Sequence, residues 1–244
     1  MLTLDSLSRA VDPQALYDYL RFGLTDRGES TLFANIHHLP PGSWAVIDAS
    51  QPSAPTPVRH WRPRIDRSSG LSFGDAAAEL NRLFRQSVRL HLRADVPVAF
   101  CLSGGVDSAT LAAIASKKLG ADIHCFSIID SDERYDESAN IQTMIEALGC
   151  PHHVTHTSTD GFFERMDDLV AYHDAPVATI SYYVHSFLSE AIHDAGYKVA
   201  VSGSGADELY TGYYDHYSMW LAQMWRRAQI DPTVDFETLM ADWK

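Results

Sequence analysis

The 244-residue sequence has little of three things that many protein classes require: cysteine, positive charge and long apolar runs. Three cysteines without a closely spaced pair argue against a disulfide framework or a cysteine zinc site, and they fit a reducing compartment. Nineteen Lys and Arg residues face 32 Asp and Glu residues, and the formal net charge of −13 repels nucleic-acid phosphates. No apolar run reaches membrane length, and the first residues lack a signal pattern. We therefore expect a cytoplasmic protein that binds neither nucleic acid nor a membrane.

Apolar runs and helical patterns alternate along the chain after Ser72. An amphipathic helix is predicted over 74–93, and the apolar runs VPVAFCL, IHCFSII, HHVTHT and KVAVSG follow, separated by helical segments. Such alternation predicts an α/β fold with a mostly parallel twisted sheet and helices on both faces. Upstream, Asp12 and Pro13 predict the start of a helix that runs to Phe22, and the Pro- and Ser-rich stretch 49–58 predicts a linker.

Two glycine-rich loops follow predicted strands, SGGVDS at 103–108 and SGSGADE at 202–208. Ligands of parallel sheets bind at the carboxyl ends of the strands, where both loops lie. Backbone N–H groups at the paired glycines and the hydroxyls of the flanking serines suit phosphate oxygens, and Asp107 suits a Mg²⁺ ion bridged to them. A tight strand–helix turn with Asp107 capping the helix is the alternative. A Walker loop is excluded because the chain has no Gly-Lys dipeptide, and Glu208 interrupts the GxGxxG pattern.

The first loop resembles the signature of the PP-loop ATP pyrophosphatases, whose fold is also called adenine nucleotide alpha hydrolase-like. The longer segment SGSGADELYTGYYDH resembles the SGxGxDExxxGY motif of glutamine-hydrolysing asparagine synthetases. TLFANIHHLPPGSW and LGCPHHV also resemble segments of that family. The resemblance implies a short remnant of a glutaminase domain over 1–62, followed over 63–244 by an asparagine synthetase-like ATP-binding domain that is incomplete at its C-terminal end.

The activity that this resemblance implies is ATP-dependent amide formation. An acid, aspartate by default, is activated as an acyl-adenylate with release of pyrophosphate, and ammonia then forms the amide. The implied cofactors are ATP and Mg²⁺. The implied ATP-binding residues are Leu102, Ser103, Gly104, Gly105, Asp107, Ser108, Ile128 and Gly203. The implied metal ligands are Asp107 and Asp207, and the implied catalytic residues are Asp107, Asp207, Ser204 and Glu208.

The sequence departs from the family pattern at three places. Ser204 replaces a glutamate that is thought to deprotonate the attacking ammonia, and a serine hydroxyl is a poor general base. The acid could therefore be a β-lactam precursor or a sugar uronate instead of aspartate. Leu2 stands where the glutaminase has its nucleophilic cysteine, so free ammonia or a separate glutaminase partner would supply nitrogen. The partners that the resemblance leaves open are such a glutaminase or, in a homo-oligomer, a second copy of the chain. The chain is expected to be truncated at both ends, and it ends at Lys244 before the lysine that stabilises adenylation.

Two other hypotheses follow from these departures and from the charge. A nucleotide-binding fragment or subunit without catalysis fits the two truncations. A PP-loop enzyme acting on tRNA is disfavoured by the acidic charge.

Two further clusters of residues give weaker indications of function. His152, His153 and His156 form an HHxxH pattern, but strand alternation places only the first and last on one side, so no metal is expected there. An apolar set on a late helix is expected to meet further helices or a partner; its members are Met219, Trp220, Leu221, Met224 and Trp225.

Overall fold

The computed structural model describes residues 4, 6–25, 28–51, 53–64, 69–130, 132, 134 and 136–241. The chain divides into two compact units. Unit 1 comprises Met1–Phe84 and Thr155–Ala191, and unit 2 comprises Arg85–Val154 and Ile192–Lys244. Leu2, Trp243 and Lys244 lie outside the described residues, so the expectations about Leu2 and the chain end are untouched by the structure.

The described residues form helices and strands close to those that the sequence predicts. The strands are β1 Ser43–Trp44, β2 Val58–Arg59, β3 Val98–Cys101, β4 His124–Ile129, β5 His152–His156 and β6 Val199–Val201. The helices are α1 Pro13–Phe22, α2 Phe73–His91, α3 Val106–Ala113, α4 Ser138–Leu148, α5 Phe162–His173, α6 Ser181–Asp194, α7 Ala206–Tyr210, α8 Tyr214–Ala228 and α9 Phe236–Ala241. The helix predicted from the first loop to Leu119 is α-helical only to Ala113, because Ile114–Lys118 forms a π-helical turn.

A four-stranded sheet, in the order β5-β4-β3-β6, is the centre of unit 2. Strand β3 pairs in parallel with both β4 and β6, with Cys101 opposite Phe126 and Phe100 opposite Val201. The predicted parallel α/β sheet is therefore confirmed. Since β3 and β6 are neighbours, their carboxyl ends meet at one edge of the sheet. The loops that begin at Ser103 and Ser202 consequently start side by side.

The core of unit 2 contains buried residues of β3 and β4 together with Ile123, which directly precedes β4, and Ile141 of α4. Phe100 and Phe126 are each 1% exposed, and Ile123 and Ile141 are each 2% exposed. Burying one such side chain contributes roughly 1.5–3 kcal/mol to folding. This burial explains why β3 and β4 read as continuous apolar runs without alternation, which is typical of parallel strands covered on both sides. The sheet edge that carries the two loops therefore has a rigid base.

Unit 1 begins with the predicted helix α1. The Oδ1 atom of Asp12 accepts a hydrogen bond from the Ala15 N–H at 2.8 Å, and Pro13 occupies the first helical position. Helices α5 and α6 pack together through Arg165, whose guanidinium lies 4.0 Å from the Phe187 ring centroid. A cavity of about 750 Å³ opens within this unit, and its walls include none of the predicted ATP-binding residues.

No helix among the described residues has the length and apolar character that crossing a bilayer requires.

Gly42 lies in the turn directly before β1 in unit 1, and we predict that Gly42→Ala strongly destabilises the β1–β2 pair. Gly42 has a φ of 66°, and a Cβ atom there would collide with the carbonyl oxygen of Trp61. The left-handed conformation costs a non-glycine residue about 1–2 kcal/mol, and the collision adds about 1–3 kcal/mol. Denaturation in urea should show the loss.

Gly23→Ala is the matched control for this substitution. Gly23 has almost the same φ, 69°, but nothing lies within 4 Å of the added Cβ. Gly23→Ala should show only the cost of the left-handed backbone conformation. Equal losses of unfolding free energy in the two variants would contradict the collision with Trp61.

Candidate functional site

The first glycine loop is held in shape by two serine hydroxyls. The Ser103 N–H donates to Ser108 Oγ at 3.1 Å, and the two hydroxyl oxygens lie 2.9 Å apart. The Gly105 N–H donates to Ser103 Oγ at 3.2 Å. Ser108 is 6% exposed, whereas Ser103 is exposed. The sequence predicted both serines as direct phosphate ligands, but the structure gives Ser108 the additional role of closing the loop on itself.

The Gly104 N–H points out of the loop and donates to a carboxylate. Its acceptor is Oε2 of Glu137, at 2.9 Å, from the residue that precedes α4. Gly104 also lies so close to this helix that an added Cβ would meet the Cβ atoms of Glu137 and Asn140 at 2.9 Å each. A backbone N–H that already binds one anionic oxygen is suited to bind another. In this structure the loop thus binds a carboxylate of its own chain through the Gly104 N–H.

The second glycine loop packs directly against the first. A Cβ atom at Gly203 would lie 3.0 Å from the Ser108 backbone nitrogen and 3.1 Å from the Asp107 Cβ. Only glycine permits this approach without a shift of the neighbours. Gly205 then turns the chain with a φ of 93° into α7. The structure thus brings Gly203 together with Asp107 and Ser108, which the sequence assigned to the same site.

Two carboxylates, Asp107 and Asp207, belong to this pair of loops. Asp107 is exposed in the first turn of α3, and Asp207 is half-buried in α7, where its carboxylate lies against Gly212. Among the described residues, no group of three or more His, Cys, Asp or Glu side chains could hold a metal alone. Mg²⁺ normally uses one or two carboxylates together with water and phosphate oxygens. The donor set therefore fits magnesium that arrives with a phosphate chain.

Glu208 is held in place by a tyrosine that the sequence did not single out as its partner. The Tyr213 hydroxyl donates to Glu208 Oε1 at 2.6 Å. This hydrogen bond lowers the pKa of Glu208 and raises the pKa of Tyr213, so Glu208 is ionised at neutral pH. The neighbouring Ser204 is exposed, and its hydroxyl accepts from Ser202 Oγ at 3.1 Å. Glu208 can therefore accept a proton or bind a cation, whereas Ser204 offers a neutral hydroxyl.

The remaining predicted ATP-binding residues lie at the ends of β3 and β4. Leu102 is 3% exposed, and its N–H donates to the Phe126 carbonyl at 2.8 Å, one residue beyond the end of β3. Ile128 is half-buried near the end of β4. Both residues thus lie at the ends of neighbouring strands, and their role in flanking the adenine stays a prediction.

Burial favours the thiol form of two of the three cysteines. Cys101, Cys125 and Cys150 are free, and the Cys150 thiol donates to the Cys125 sulfur at 3.5 Å. Burial raises the pKa of Cys101 and of Cys125, because the charged form is poorly solvated there. Cys101 and Cys125 are therefore poor nucleophiles at neutral pH.

Sequence reasoning missed Glu137 and the side chain of Ser127 as members of this region. Glu137 and Ser127 are brought to the first loop by contacts that span 33 and 25 residues. The one available signal for Glu137 was its place at the predicted start of α4.

The structure also shows what two histidines of the HHxxH pattern contact. His152 Nε2 lies 2.9 Å from Ser127 Oγ, and the His153 ring stacks on the Phe126 ring with the ring centroids 4.5 Å apart.

We predict that His152 makes folding stability depend on pH near neutrality. Burial lowers the pKa of His152, and the proximity of His153 acts in the same direction. An unfolded histidine titrates at about 6.5, so just below that pH the unfolded chain binds more protons than the folded chain. The contribution of neutral His152 to the free energy of unfolding is therefore present in full above a pH of about 6.5, and it is lost as the pH falls through the pKa of His152 in the folded chain. Urea midpoints at pH 7.5 and 5.5 should therefore differ more in the wild type than in His152→Gln, and parallel profiles would contradict the prediction.

Comparisons with known proteins agree with the two loop motifs. Residues 79–243 match the family described as asparagine synthase. The protein named amidase chyE of Penicillium rubens is 29% identical over 203 residues, which cover 75% of this chain and 30% of that protein. A Mycobacterium bovis protein, named provisionally as an asparagine synthetase [glutamine-hydrolyzing], is 32% identical over 87% of this chain and 32% of its own length.

A solved structure gives a more distant likeness. The ammonia-dependent NAD synthetase of Campylobacter jejuni is 14% identical with a TM-score of 0.37, over 59% of this chain and 61% of that chain. This likeness is too weak to bear on function. The curated relatives are informative, although the chain spans only about a third of their length. Because the family match covers more than half of its residues, the chain belongs to the asparagine synthase family.

Proposed function

We propose that the chain is the nucleotide-binding part of an ATP-dependent amide-forming ligase. In the reaction, a carboxylate attacks the α-phosphate of ATP, pyrophosphate leaves, and ammonia displaces AMP from the acyl-adenylate to give the amide. Aspartate is the default acid and asparagine the default product. The observation that carries the proposal is the close packing of Gly203 against Asp107 and Ser108, which joins the two motif loops at one edge of the sheet.

In this proposal the first loop binds the pyrophosphate portion of ATP. The residues around it are Ser103, Gly104, Gly105 and Ser108, while Leu102 and Ile128 flank the adenine and Gly203 lies against the nucleotide. Asp107 and Asp207 hold Mg²⁺, which neutralises the phosphate charge when bound. Both loops begin at the carboxyl ends of adjacent parallel strands, where α/β sheets bind ligands.

Glu208 is proposed to act on the acceptor side of the site. Its carboxylate is ionised and oriented by Tyr213, so it can bind the amine as a cation or receive its proton, and the lowered pKa makes it a weak base. Ser204 can only donate or accept a neutral hydrogen bond at the same loop. We therefore assign the base function to Glu208 rather than to Ser204.

Amidation of a different acid is the second candidate function. It is favoured by Ser204 at the position where the asparagine synthetase motif has glutamate, and by relatives that are named amidases. A sugar uronate or a β-lactam precursor would need the same adenylation chemistry but a differently shaped acceptor site. A nucleotide-binding fragment that needs a second chain for turnover is the remaining alternative.

The first experiment measures pyrophosphate release by the purified 244-residue chain with Mg·ATP, L-aspartate and ammonium. Controls omit each component in turn, and asparagine is quantified in parallel. Release that depends on aspartate and yields asparagine supports the default reaction. ATP binding without release supports the fragment or another acid, which a panel of uronates and amino acids then separates. Absence of ATP and pyrophosphate binding contradicts the proposed function.

We predict that Glu137→Gln strengthens pyrophosphate binding. Glu137 places a negative charge on the Gly104 N–H, where the proposal places a phosphate oxygen, so the two anions compete. Removing that charge should lower the Kd of pyrophosphate about three- to tenfold in calorimetry.

The matched control is Glu146→Gln, an exposed glutamate of α4 that pairs with Gln142 at 2.8 Å. This control should bind pyrophosphate as the wild type does. Weaker binding by the Glu137 variant would mean that the carboxylate supports the bound state instead of competing with it.

A further inference from the structure

His152 is linked to the first glycine loop through a chain of hydrogen bonds. Ser127 lies in β4 and is 1% exposed, and its hydroxyl donates to the Leu102 carbonyl at 2.6 Å. The same oxygen lies 2.9 Å from Nε2 of His152 in β5. A serine hydroxyl has one proton, which is already given to Leu102, so His152 must be the donor. His152 is therefore the Nε2–H tautomer, and it donates to Ser127.

This chain ends at the peptide unit that opens the loop. The carbonyl of Leu102 accepts from Ser127, and the N–H on the other side of that peptide bond, from Ser103, donates to Ser108 Oγ at 3.1 Å. Strand β3 ends one residue earlier, at Cys101. Both polar groups of the Leu102–Ser103 peptide are thus fixed by side chains where the strand ends. The direction of this peptide plane sets where the N–H groups of the following glycines point.

We propose that His152 is a positioning residue for phosphate binding: by donating to Ser127, it fixes the Leu102–Ser103 peptide and thereby aims the loop N–H groups. This inference rests on the proposed function, since it takes the loop to be a phosphate site. His152 touches no predicted ligand position itself. Its donated hydrogen bond satisfies the buried Ser127 oxygen and removes the freedom of the hydroxyl to turn away from Leu102.

The other histidines of the same strand do not share this role. His153 is exposed and stacks on the Phe126 ring at 4.5 Å, and His156 is exposed at the end of β5. The HHxxH pattern is thus explained by one donor to a buried hydroxyl and one stacking ring, and not by a shared ligand.

The test compares His152→Gln with His152→Met. The two replacements have similar length and flexibility, but only the glutamine amide can donate to Ser127. Pyrophosphate binding is measured by calorimetry at pH 7.5, with melting temperatures recorded in parallel. We expect His152→Gln to stay within about twofold of the wild-type Kd and His152→Met to bind about tenfold more weakly. His153→Ala, which removes a ring from the same strand without touching Ser127, should leave the Kd unchanged.

Amide hydrogen exchange gives a readout that needs no ligand. In His152→Met, exchange should accelerate in peptides that cover 102–108 and stay as in the wild type in peptides that cover α8. Uniform acceleration across unit 2, or equal Kd values for the Gln and Met variants, would overturn the inference, because either result assigns His152 a purely structural role. If the wild-type chain binds pyrophosphate, these results overturn the positioning role of His152 and leave the proposed function standing. If the wild-type chain binds neither ATP nor pyrophosphate, both the proposed function and the positioning role are overturned.

Discussion

Asp107→Asn is expected to reduce pyrophosphate release from Mg·ATP by at least about a hundredfold. The substitution keeps the shape of the side chain but removes the charge that the proposal assigns to Mg²⁺. Asp107 is exposed in the first turn of α3, so the fold should tolerate the change at a cost of about 0.3–1 kcal/mol from lost interaction with the helix dipole. Pyrophosphate is followed by a coupled assay over a range of magnesium concentrations.

The control for Asp107→Asn is Asp167→Asn, an exposed carboxylate on α5 that takes no part in either loop. The control should keep wild-type release and wild-type magnesium dependence. If the wild-type chain binds ATP without turnover, the same pair is compared by the magnesium dependence of ATP binding, which should be lost in Asp107→Asn alone. The structure does not support Asp107 as a cap, because Gly105 is the N-cap of α3 and no side chain caps that helix. Unchanged release by Asp107→Asn would therefore mean that Asp107 acts only as an acidic residue in the first turn of α3.

Gly203→Val is expected to abolish ATP binding while leaving the helical content unchanged. An added Cβ at this position already lies 3.0 Å from the Ser108 nitrogen and 3.1 Å from the Asp107 Cβ, and the two methyl groups of valine need more space. The side chain would therefore push the second loop away from the first. We expect ATP affinity to fall by more than about tenfold, with overpacking costing about 1–3 kcal/mol of stability.

A graded series makes this steric prediction sharper. Gly203→Ala should fall between the wild type and Gly203→Val, because its single methyl group requires shifts of only a few tenths of an ångström. Gly74→Val places the same side chain in α2, where the nearest atom to an added Cβ is 3.9 Å away, and it should bind ATP normally. Circular dichroism confirms folding in each case. Wild-type affinity in Gly203→Val would mean that the two loops do not form one site.

Local signals made much of the fold predictable. Asp12, Pro13 and the helical spacing that follows gave α1 its start and end, and the apolar runs gave β3 to β6 nearly at their observed bounds. The π-helical turn Ile114–Lys118 could not be predicted, because its sequence is that of an ordinary helix and its hydrogen-bond pattern depends on packing. The pairing of β3 with β6 was not predicted, because the general rules of α/β connection give a parallel sheet but not the order of its strands.

The candidate site was predictable where chemistry is carried by motifs and unpredictable where it depends on tertiary contacts. Both glycine loops were found from the sequence because glycine, serine and aspartate at a strand end have few other uses. The partnership of Glu137 with Gly104 joins residues 33 positions apart, and that of His152 with Ser127 joins residues 25 positions apart. The periodic pattern of apolar residues in the sequence does not predict such pairs, because they depend on the order of the strands in the sheet. The roles assigned to individual ATP-binding residues stay predictions.

The carboxylate of Glu137 on the Gly104 N–H has a consequence for which anions the loop admits. Any incoming anion must displace the Glu137 carboxylate, which is part of the same chain and therefore has a high local concentration. A single orthophosphate or chloride ion would form one contact with the Gly104 N–H in place of the one it displaces, and would gain little binding free energy. A polyphosphate that reaches the flanking hydroxyls and N–H groups at the same time gains several contacts for the one it displaces. Under the proposed function, the glutamate would therefore favour ligands with several phosphate groups over simple anions.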